Sequence, residues 1–442
     1  MRRLPFLLAA AAALASPALA RLQPGPAPAD PASSRTASLE ALFEASARGE
    51  TGPLMRALQT EADPDVRALL EARLSAMRLS TGAAADPRIR LLAEGSPDST
   101  LRRAALATIA AVALTDGDYR EAARAGRPLE ALQRAAGDIR SAEETALSIR
   151  LADMLAGEPR LAIEGQAVAG RAAARRDPAG LMRADMTVNG KAQDAVLDTG
   201  ANLSVLSATT ARRLNVRMLG GDSRVGNSAH GTVGVRVGIA DRVEIAGTKL
   251  RNVVFLIIDD AQLTFSGGSY TIPAIIGFPE MKALGRFRVD AGSLTVEPVG
   301  DAAASAAGGG NLHSWGNELF VDVKVGGVSV PLHLDSGATT SHLDPPFAAA
   351  HPHLIAGLPR EERRITGAGG TATVQAVRWR NVPVEIAGRT FRAPSVLVGV
   401  GPANARASRY YGKAGIDLLR LFPSFTIDLR AMRLELGGAA SR

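Results

Sequence analysis

Cysteine is absent from this 442-residue chain, and lysine and aromatic residues are scarce. Without cysteine the protein has no disulfides, no thiol nucleophile and no Cys-ligated zinc or iron–sulfur centre, so any metal site would need His and carboxylate ligands. Aromatic residues make up 4% of the chain, and only five of its 51 basic residues are lysines. The chain is too long for one ordinary domain, and its 46% hydrophobic content is typical of a globular protein.

The formal net charge of +7 raises the question of nucleic-acid binding. Arginine is spread over the whole chain, however, and the densest group, Arg171, Arg175 and Arg176, has no interleaved aromatic residue for base stacking. Phosphate binding usually needs a concentrated stripe of positive charge. The distribution therefore indicates a compositional bias, and we predict no nucleic-acid partner.

Long hydrophobic runs are missing beyond the N-terminus. There, Arg2 and Arg3 precede an apolar run over residues 4–14, and the small-residue triplet Ala-Leu-Ala follows at residues 18–20. This order is typical of a cleavable secretory signal, and the run is shorter than the ~20 residues that span a bilayer. We therefore predict a signal peptide over residues 1–20, a periplasmic or secreted protein, and no stable membrane insertion after cleavage.

Two segments of different character follow the signal. Residues 21–37 are rich in Pro, Ala and Ser without periodicity, which predicts a flexible linker. Apolar residues then recur at helical spacing, which predicts an all-α, repeat-like domain over residues 38–176. Its role is either packing and solubility or the binding of a protein partner. The helix-start signals are Asp63-Pro64, Asp86-Pro87 and the capping-box pair Ser141 and Glu144.

The remaining sequence is β-rich and internally duplicated. Residues 186–207 read MTVNGKAQDAVLDTGANLSVLS, and residues 323–344 read VKVGGVSVPLHLDSGATTSHLD. Alignment on Asp198 and Asp335 gives an offset of 137, and a later Gly-containing element, residues 275–277, recurs as Lys-Ala-Gly at an offset of 138. Offsets this similar indicate two homologous lobes, which a Gly/Ala-rich linker over residues 301–311 joins.

Each lobe carries an acid at the end of an apolar strand, followed by a hydroxyl residue and a glycine. The hydroxyl can hydrogen-bond across to the other lobe, and the glycine permits a tight turn and a close backbone approach. If the lobes pack about a pseudo-twofold axis, the two acids meet there and share one proton. Such a pair can activate a water as general base and protonate a carbonyl oxygen as general acid. The residues concerned are Asp198, Thr199 and Gly200 in one copy and Asp335, Ser336 and Gly337 in the other.

The motifs Asp198–Ala201 and Asp335–Ala338 resemble those of the pepsin-like and retropepsin-like aspartic proteases. The resemblance covers about residues 181–436 and implies that the two aspartates are catalytic, that the hydroxyl residues and glycines after them orient the dyad, and that no metal or organic cofactor is required. In that family a later glycine, here Gly277 and Gly415, belongs to a strand beside the catalytic loop. The Lys-Ala pair before Gly415 departs from the aliphatic pair expected there.

Each copy also has a glycine-punctuated segment between its acid and its later Ala-Gly hairpin. In the family a β-hairpin flap in this region closes over an extended peptide, and glycines in both copies resemble the paired flaps of retropepsins. Ordinary hairpin turns are the alternative. The flap residues implied are Gly226, His230 and Gly231 in the first copy and Gly367, Gly369 and Gly370 in the second.

Together these features predict an α+β multidomain protein, with a helical domain followed by two mainly-β protease lobes over residues 177–300 and 312–442. The predicted function is that of an aspartic endopeptidase that acts on extended polypeptide segments. The alternative is a catalytically silent peptide-binding or scaffold protein. Both acids and their hydroxyl neighbours are present, which favours the enzyme because a silent cleft has no chemical need for two acids.

Overall fold

The computed structural model describes residues 31–165, 169–221, 223–226, 232–297, 310–367, 370–401 and 408–438. They form two compact units: the helices up to Glu158 group with residues 313–317, and the rest of the described chain forms the second unit. The predicted signal peptide lies outside the described residues, as do residues 21–30 of the first predicted linker and residues 301–309 of the second. In the part of the chain that is described, no helix has the length and apolar character needed to cross a bilayer.

The helical unit contains seven helices that precede residue 158 in the described part of the chain. The first begins at Pro31, so the end of the predicted linker, residues 31–37, is helical instead. The last ends at Leu155, well before the predicted domain boundary at residue 176. The helices are α1 (Pro31–Ala47), α2 (Gly52–Thr60), α3 (Pro64–Ala76), α4 (Pro87–Gly95), α5 (Ser99–Thr115), α6 (Tyr119–Ala135) and α7 (Ile139–Leu155), with a 3₁₀ turn at Thr81–Ala84.

Aspartates cap helices α3 to α7. The predicted caps are confirmed at α3 and α4, where Asp63 and Asp86 accept backbone N–H bonds just before a proline at the first helical position. At α7 the prediction is wrong. Asp138, not Ser141, is the N-cap and accepts from the Ser141 N–H at 3.2 Å. The preceding Gly137 has a φ of 76° and interrupts the helical backbone, so α7 starts directly after Asp138.

A distant segment completes the core of the helical unit. Helix α5 is buried over most of its length, and Trp315, from residues 313–317, is 1% exposed. The Arg73 guanidinium lies 4.4 Å from the Trp315 ring centroid and 4.5 Å from that of Phe43. The Ser314 N–H also donates to the Met77 carbonyl at 2.8 Å. The helical core is therefore not formed by residues 38–176 alone.

The second unit is mainly β. Its first half contains β1 (Ala162–Ile163), β2 (Gly170–Arg176), β3 (Met182–Val188), β4 (Lys191–Leu197), β5 (Ser204–Ser207), α8 (Ala208–Arg213), β6 (Arg217–Met218), β7 (Ser223–Gly226), β8 (Thr232–Ile245), β9 (Thr248–Ile258), β10 (Thr264–Phe265), β11 (Tyr270–Thr271), β12 (Ala274–Ile276), α9 (Phe278–Leu284), β13 (Arg286–Asp290) and β14 (Ser293–Val296). After β15 (Leu312–Trp315), its second half contains β16 (Glu318–Val325), β17 (Val328–Asp335), β18 (His342–Leu343), α10 (Pro345–Ala350), β19 (Arg360–Gly367), β20 (Gly370–Ile386), β21 (Arg389–Gly399), β22 (Gly412–Gly415), α11 (Ile416–Leu419), β23 (Ser424–Asp428) and β24 (Arg433–Gly437).

The two halves share one topology. In the first, the strands pair in the order β3-β4-β12-β5-β9-β8, and β8 pairs back with β3. In the second, the order is β16-β17-β22-β18-β21-β20, and β20 pairs back with β16. Each order is a closed ring of strands, and equivalent strands hold equivalent places. The predicted pair of β lobes with pseudo-twofold symmetry is therefore confirmed.

The strands β24, β23, β13, β14 and β2 continue the sheet of the first lobe in that order. Strand β2 contains the arginine group that the sequence analysis assigned to the end of the helical domain, so this assignment is wrong. Arg175 on β2 makes ion pairs with Asp185 on β3 and Asp194 on β4, at 3.0 and 2.8 Å. Backbone pairing with β14 and β3 forms this strand, although the segment lacks the alternation of apolar residues that marks the other strands.

Candidate active site

Asp198 and Asp335 lie at the ends of the equivalent strands β4 and β17, and they are 1% and 0% exposed. The glycines of the two motifs bring them together. A Cβ atom on Gly200 would lie 2.6 Å from Cγ of Asp335, and a Cβ atom on Gly337 would lie 2.3 Å from Cγ of Asp198. Only a residue without a side chain leaves room for the carboxylate of the other lobe. The two acids are therefore neighbours where the lobes meet.

The hydroxyl residues after the acids hold the two loops in a reciprocal arrangement. Thr199 Oγ1 donates to the Leu334 carbonyl at 2.6 Å and accepts from the Ser336 N–H at 3.0 Å. Ser336 Oγ donates to the Leu197 carbonyl at 2.7 Å and accepts from the Thr199 N–H at 3.0 Å. All four bonds are buried and cross from one lobe to the other. Cross-lobe bonding of this kind is what the motif predicts.

A later glycine strand packs beside each loop. Strand β12 runs parallel to β4, and β22 runs parallel to β17. A Cβ atom on Gly277 would lie 2.6 Å from the Ala201 carbonyl oxygen, and one on Gly415 would lie 2.7 Å from that of Ala338. The second element therefore takes the same place as the first, despite its departure from an aliphatic pair.

A serine and an acid support each of these glycines, in a buried pair in the first lobe and a half-buried pair in the second, and neither pair was predicted from the sequence. Ser204 Oγ donates to Glu280 Oε2 at 2.5 Å and accepts from the Gly277 N–H at 2.9 Å. Ser341 Oγ donates to Asp417 Oδ1 at 2.6 Å and accepts from the Gly415 N–H at 2.8 Å. Burial raises the pKa of Glu280 to about 7 and also raises the pKa of Asp417. The offset between the two serines equals that between the two catalytic motifs, a signal that could have identified them.

The surroundings of the two carboxylates are electrostatically unequal. Burial and then the charge of Asp335 raise the pKa of Asp198 well above its usual range. Burial also acts to raise the pKa of Asp335, but Lys413 Nζ lies 2.6 Å from its Oδ2, and the net effect is a lowered pKa. The same ion pair holds the pKa of Lys413 above its usual value although burial opposes it. The pair thus has one acid that favours its proton and one that favours its charge.

The predicted flap segments form β-hairpins as far as the structure describes them. Strands β7 and β8 pair up to Gly226 opposite Thr232, and β19 and β20 pair up to Gly367 opposite Gly370. The remaining predicted flap residues, His230, Gly231 and Gly369, lie outside the described residues. Within the described ranges, no group of three or more His, Asp or Glu side chains is arranged to hold a metal ion.

Both β lobes are similar in sequence to known proteins. The sequence model described as "Aspartyl protease" matches residues 184–279 and 321–406, one segment in each lobe. The chain is also similar to the crystal structure of a retropepsin-like aspartic protease from Rickettsia conorii, with 18% identity over 32% of this chain and 96% of that one, and a TM-score of 0.23. A search of curated proteins gives no match. The sequence similarity to aspartyl proteases therefore lies in the two β lobes, with one matched segment in each.

Proposed function

We propose that this protein is an aspartic endopeptidase that hydrolyses peptide bonds with a water molecule activated between Asp198 and Asp335. The adjacency of the two carboxylates carries the proposal, since each lies against the motif glycine of the other lobe. Two buried carboxylates this close favour a single shared proton, because the second ionisation would place two negative charges side by side.

The reaction uses both protonation states of the pair. The ionised carboxylate takes a proton from the water, the water oxygen attacks the carbonyl carbon, and the protonated acid gives its proton to the carbonyl oxygen. In the second step one hydroxyl of the resulting diol returns a proton to the pair, and the C–N bond breaks as the nitrogen receives the other proton. The products are a carboxylic acid and an amine, and the pair again holds one proton.

We propose that the substrate is an extended polypeptide segment. A strand-like peptide takes main-chain hydrogen bonds from a β-hairpin edge, and its side chains enter pockets that give specificity. The β7–β8 and β19–β20 hairpins, one in each lobe, support this mode of binding. Export to the periplasm or the medium, from residues 1–20, and a protein partner of the helical unit remain predictions.

Cleavage of a diverse peptide library tests the proposed function. The purified wild type is incubated with the library across a range of pH, and the fragments are identified by mass spectrometry. Asp198→Asn should lower the rate by at least ~10²-fold, because the variant cannot exchange the shared proton. The control is Asp322→Asn, which replaces an exposed carboxylate on β16 of the second lobe and should cleave as the wild type does.

Two results would contradict the proposal. Cleavage that survives Asp198→Asn would mean that the activity comes from another site or from a contaminant. Specific peptide binding without cleavage by the wild type would favour the silent peptide-binding protein instead.

A further inference from the structure

The strands under the dyad differ in chemistry between the two lobes. In the first lobe Ile275 on β12 pairs with Val196 on β4 and Val205 on β5, and all three residues are buried. The equivalent strands of the second lobe pair in the same registers and carry three ionisable residues instead. There, Lys413 on β22 lies opposite both His333 on β17 and His342 on β18. An apolar layer in one lobe thus corresponds to a layer of ionisable residues in the other.

Lys413 has a specific partner in this layer. Its Nζ lies 2.6 Å from Asp335 Oδ2, and the two side chains are 16% and 0% exposed. A buried ammonium group is costly without a counter-charge, and removal of one partner leaves the other buried and uncompensated. The ion pair therefore favours the ionised form of Asp335.

The histidine beside the ion pair does not oppose this assignment. His333 is buried with no hydrogen-bond partner on either ring nitrogen, and burial followed by the charge of Lys413 lowers its pKa to about 4. It is therefore neutral near pH 7 and does not compete with Lys413 for Asp335. The charges of Asp198 and Asp344 act on Lys413, and the charge of Lys413 acts on His333 and His342. His342 pairs with Asp344, and Tyr410 stacks on His333. Tyr410 and Arg409 both contact Glu318 on β16.

We propose that Lys413 is a positioning residue that keeps Asp335 ionised as the base of the dyad and so leaves the shared proton on Asp198. This assignment rests on the proposed function and deepens it. Asp335 then takes the proton of the attacking water, and Asp198 protonates the carbonyl oxygen. The dyad loses activity at low pH when Asp335 also becomes protonated, so Lys413 extends the active range toward acid.

The pH profile of kcat/KM in Lys413 variants tests this role. A cation in contact lowers a carboxyl pKa by ~1–3 units, so Lys413→Met should move the acid limb of the profile upward by about one pH unit or more. Lys413→Arg keeps the charge and should keep the acid limb near that of the wild type. Lys324→Met, which replaces an exposed lysine on β16, is the matched control and should leave the profile unchanged. An acid limb that stays in place in Lys413→Met would overturn the proposal.

A second measurement needs neither activity nor a Lys413 variant. Only five lysines occur in the chain, so NMR of protein labelled at lysine side chains gives few signals, and Lys→Arg replacement of the other four assigns Lys413 by exclusion. The Lys413 signal should change as Asp335 takes up its proton, with a midpoint below the ordinary Asp value of ~3.9. A midpoint at or above that value would overturn the proposal. If the wild type cleaves no peptide, the proposed function fails, while this titration still decides the state of Asp335.

Discussion

Thr199 and Ser336 tie the two lobes together through four buried hydrogen bonds. Thr199→Val keeps the shape of the side chain but removes two of these bonds and leaves the Ser336 N–H without its acceptor. A buried group left unsatisfied costs ~1–3 kcal/mol, so the free energy of unfolding should fall by at least ~1 kcal/mol in chemical denaturation. Thr390→Val, at an exposed position on β21, is the control. Equal stabilities of the two variants would contradict this role of Thr199.

Replacement of each aspartate by its neutral isostere, asparagine, should change the free energy of unfolding at neutral pH in opposite directions. The raised pKa of Asp198 means that its contribution to stability is present at low pH and is lost as pH rises through that pKa. Asp198→Asn should therefore stabilise the protein relative to wild type at neutral pH. Asp335→Asn leaves the buried Lys413 without its partner and should cost ~3 kcal/mol there.

Denaturation of both variants at pH 7 and at acidic pH measures this contrast. Because the pKa of Asp335 is lowered, the stability that it contributes is lost only as pH falls through the lowered value. The penalty of Asp335→Asn should thus shrink only at strongly acidic pH. Two variants with the same pH dependence would show that the acids are electrostatically equivalent.

The sequence predicts the acids, hydroxyls and glycines of the site because these residue types recur twice with matched spacing. It does not predict the charge on Asp335, because this depends on Lys413, 78 positions later in the chain. The duplicated pattern shows only that the Lys-Ala pair before Gly415 differs from the aliphatic pair expected there. The ion pair follows from the parallel register of β17 and β22, which brings Lys413 beside Asp335.

At the scale of elements, the capping aspartates determine where the helices begin. Asp98 accepts from the N–H groups of Thr100 and Leu101 at 2.8 and 3.2 Å, at the start of the buried helix α5. Asp98→Ala should cost the helical unit ~1 kcal/mol, and Asp98→Asn should cost much less because an amide oxygen also accepts.

Tryptophan fluorescence can measure the effect of Asp98→Ala on the unfolding of the helical unit alone. The chain has two tryptophans, and Trp315 belongs to the helical unit while Trp379 belongs to the β unit. In a Trp379→Phe background the fluorescence transition therefore reports the helical unit. An unchanged transition in Asp98→Ala would contradict the capping role.

The position of an element can be predicted where its local sequence signal is strong, and the prediction fails where two signals compete. Asp63 and Asp86 stand beside prolines that fix the first helical turn, so α3 and α4 begin as predicted. At α7 the capping-box pair is a genuine pattern, but Asp138 comes first and follows a glycine that ends the previous helix. Strand β2 was missed because its segment lacks alternating apolar residues and it pairs with β14, a strand more than a hundred positions later.

At the scale of the whole molecule, the chain returns to the helical unit after the first β lobe. Trp315 is the largest side chain that this return inserts, and it is 1% exposed beneath Arg73. Trp315→Ala should destabilise the helical unit by ~3–5 kcal/mol, the usual cost of truncating a buried aromatic residue. Far-UV circular dichroism during denaturation should show earlier loss of the helical signal, whereas Trp379→Ala should leave that loss unchanged. The same helical transition in both variants would contradict the role of residues 313–317.

The division into a helical and a β part was predictable because hydrophobic spacing changes from helical to alternating along the chain. The return of residues 313–317 was not, because no local pattern links this segment to helices more than two hundred positions earlier. The packing of Trp315 depends on Arg73 and Phe43, which come together only when the helices fold.

A mutant cycle on the dyad tests most directly whether the two lobes form one catalytic unit. kcat/KM is measured on a cleaved peptide for wild type, Asp198→Asn, Asp335→Asn and the double variant. Because the acids share one proton, each single variant should lose at least ~10²-fold, and the double variant should be little worse than either. Substantial turnover in one single variant, or losses that multiply in the double variant, would contradict a shared dyad between Asp198 and Asp335.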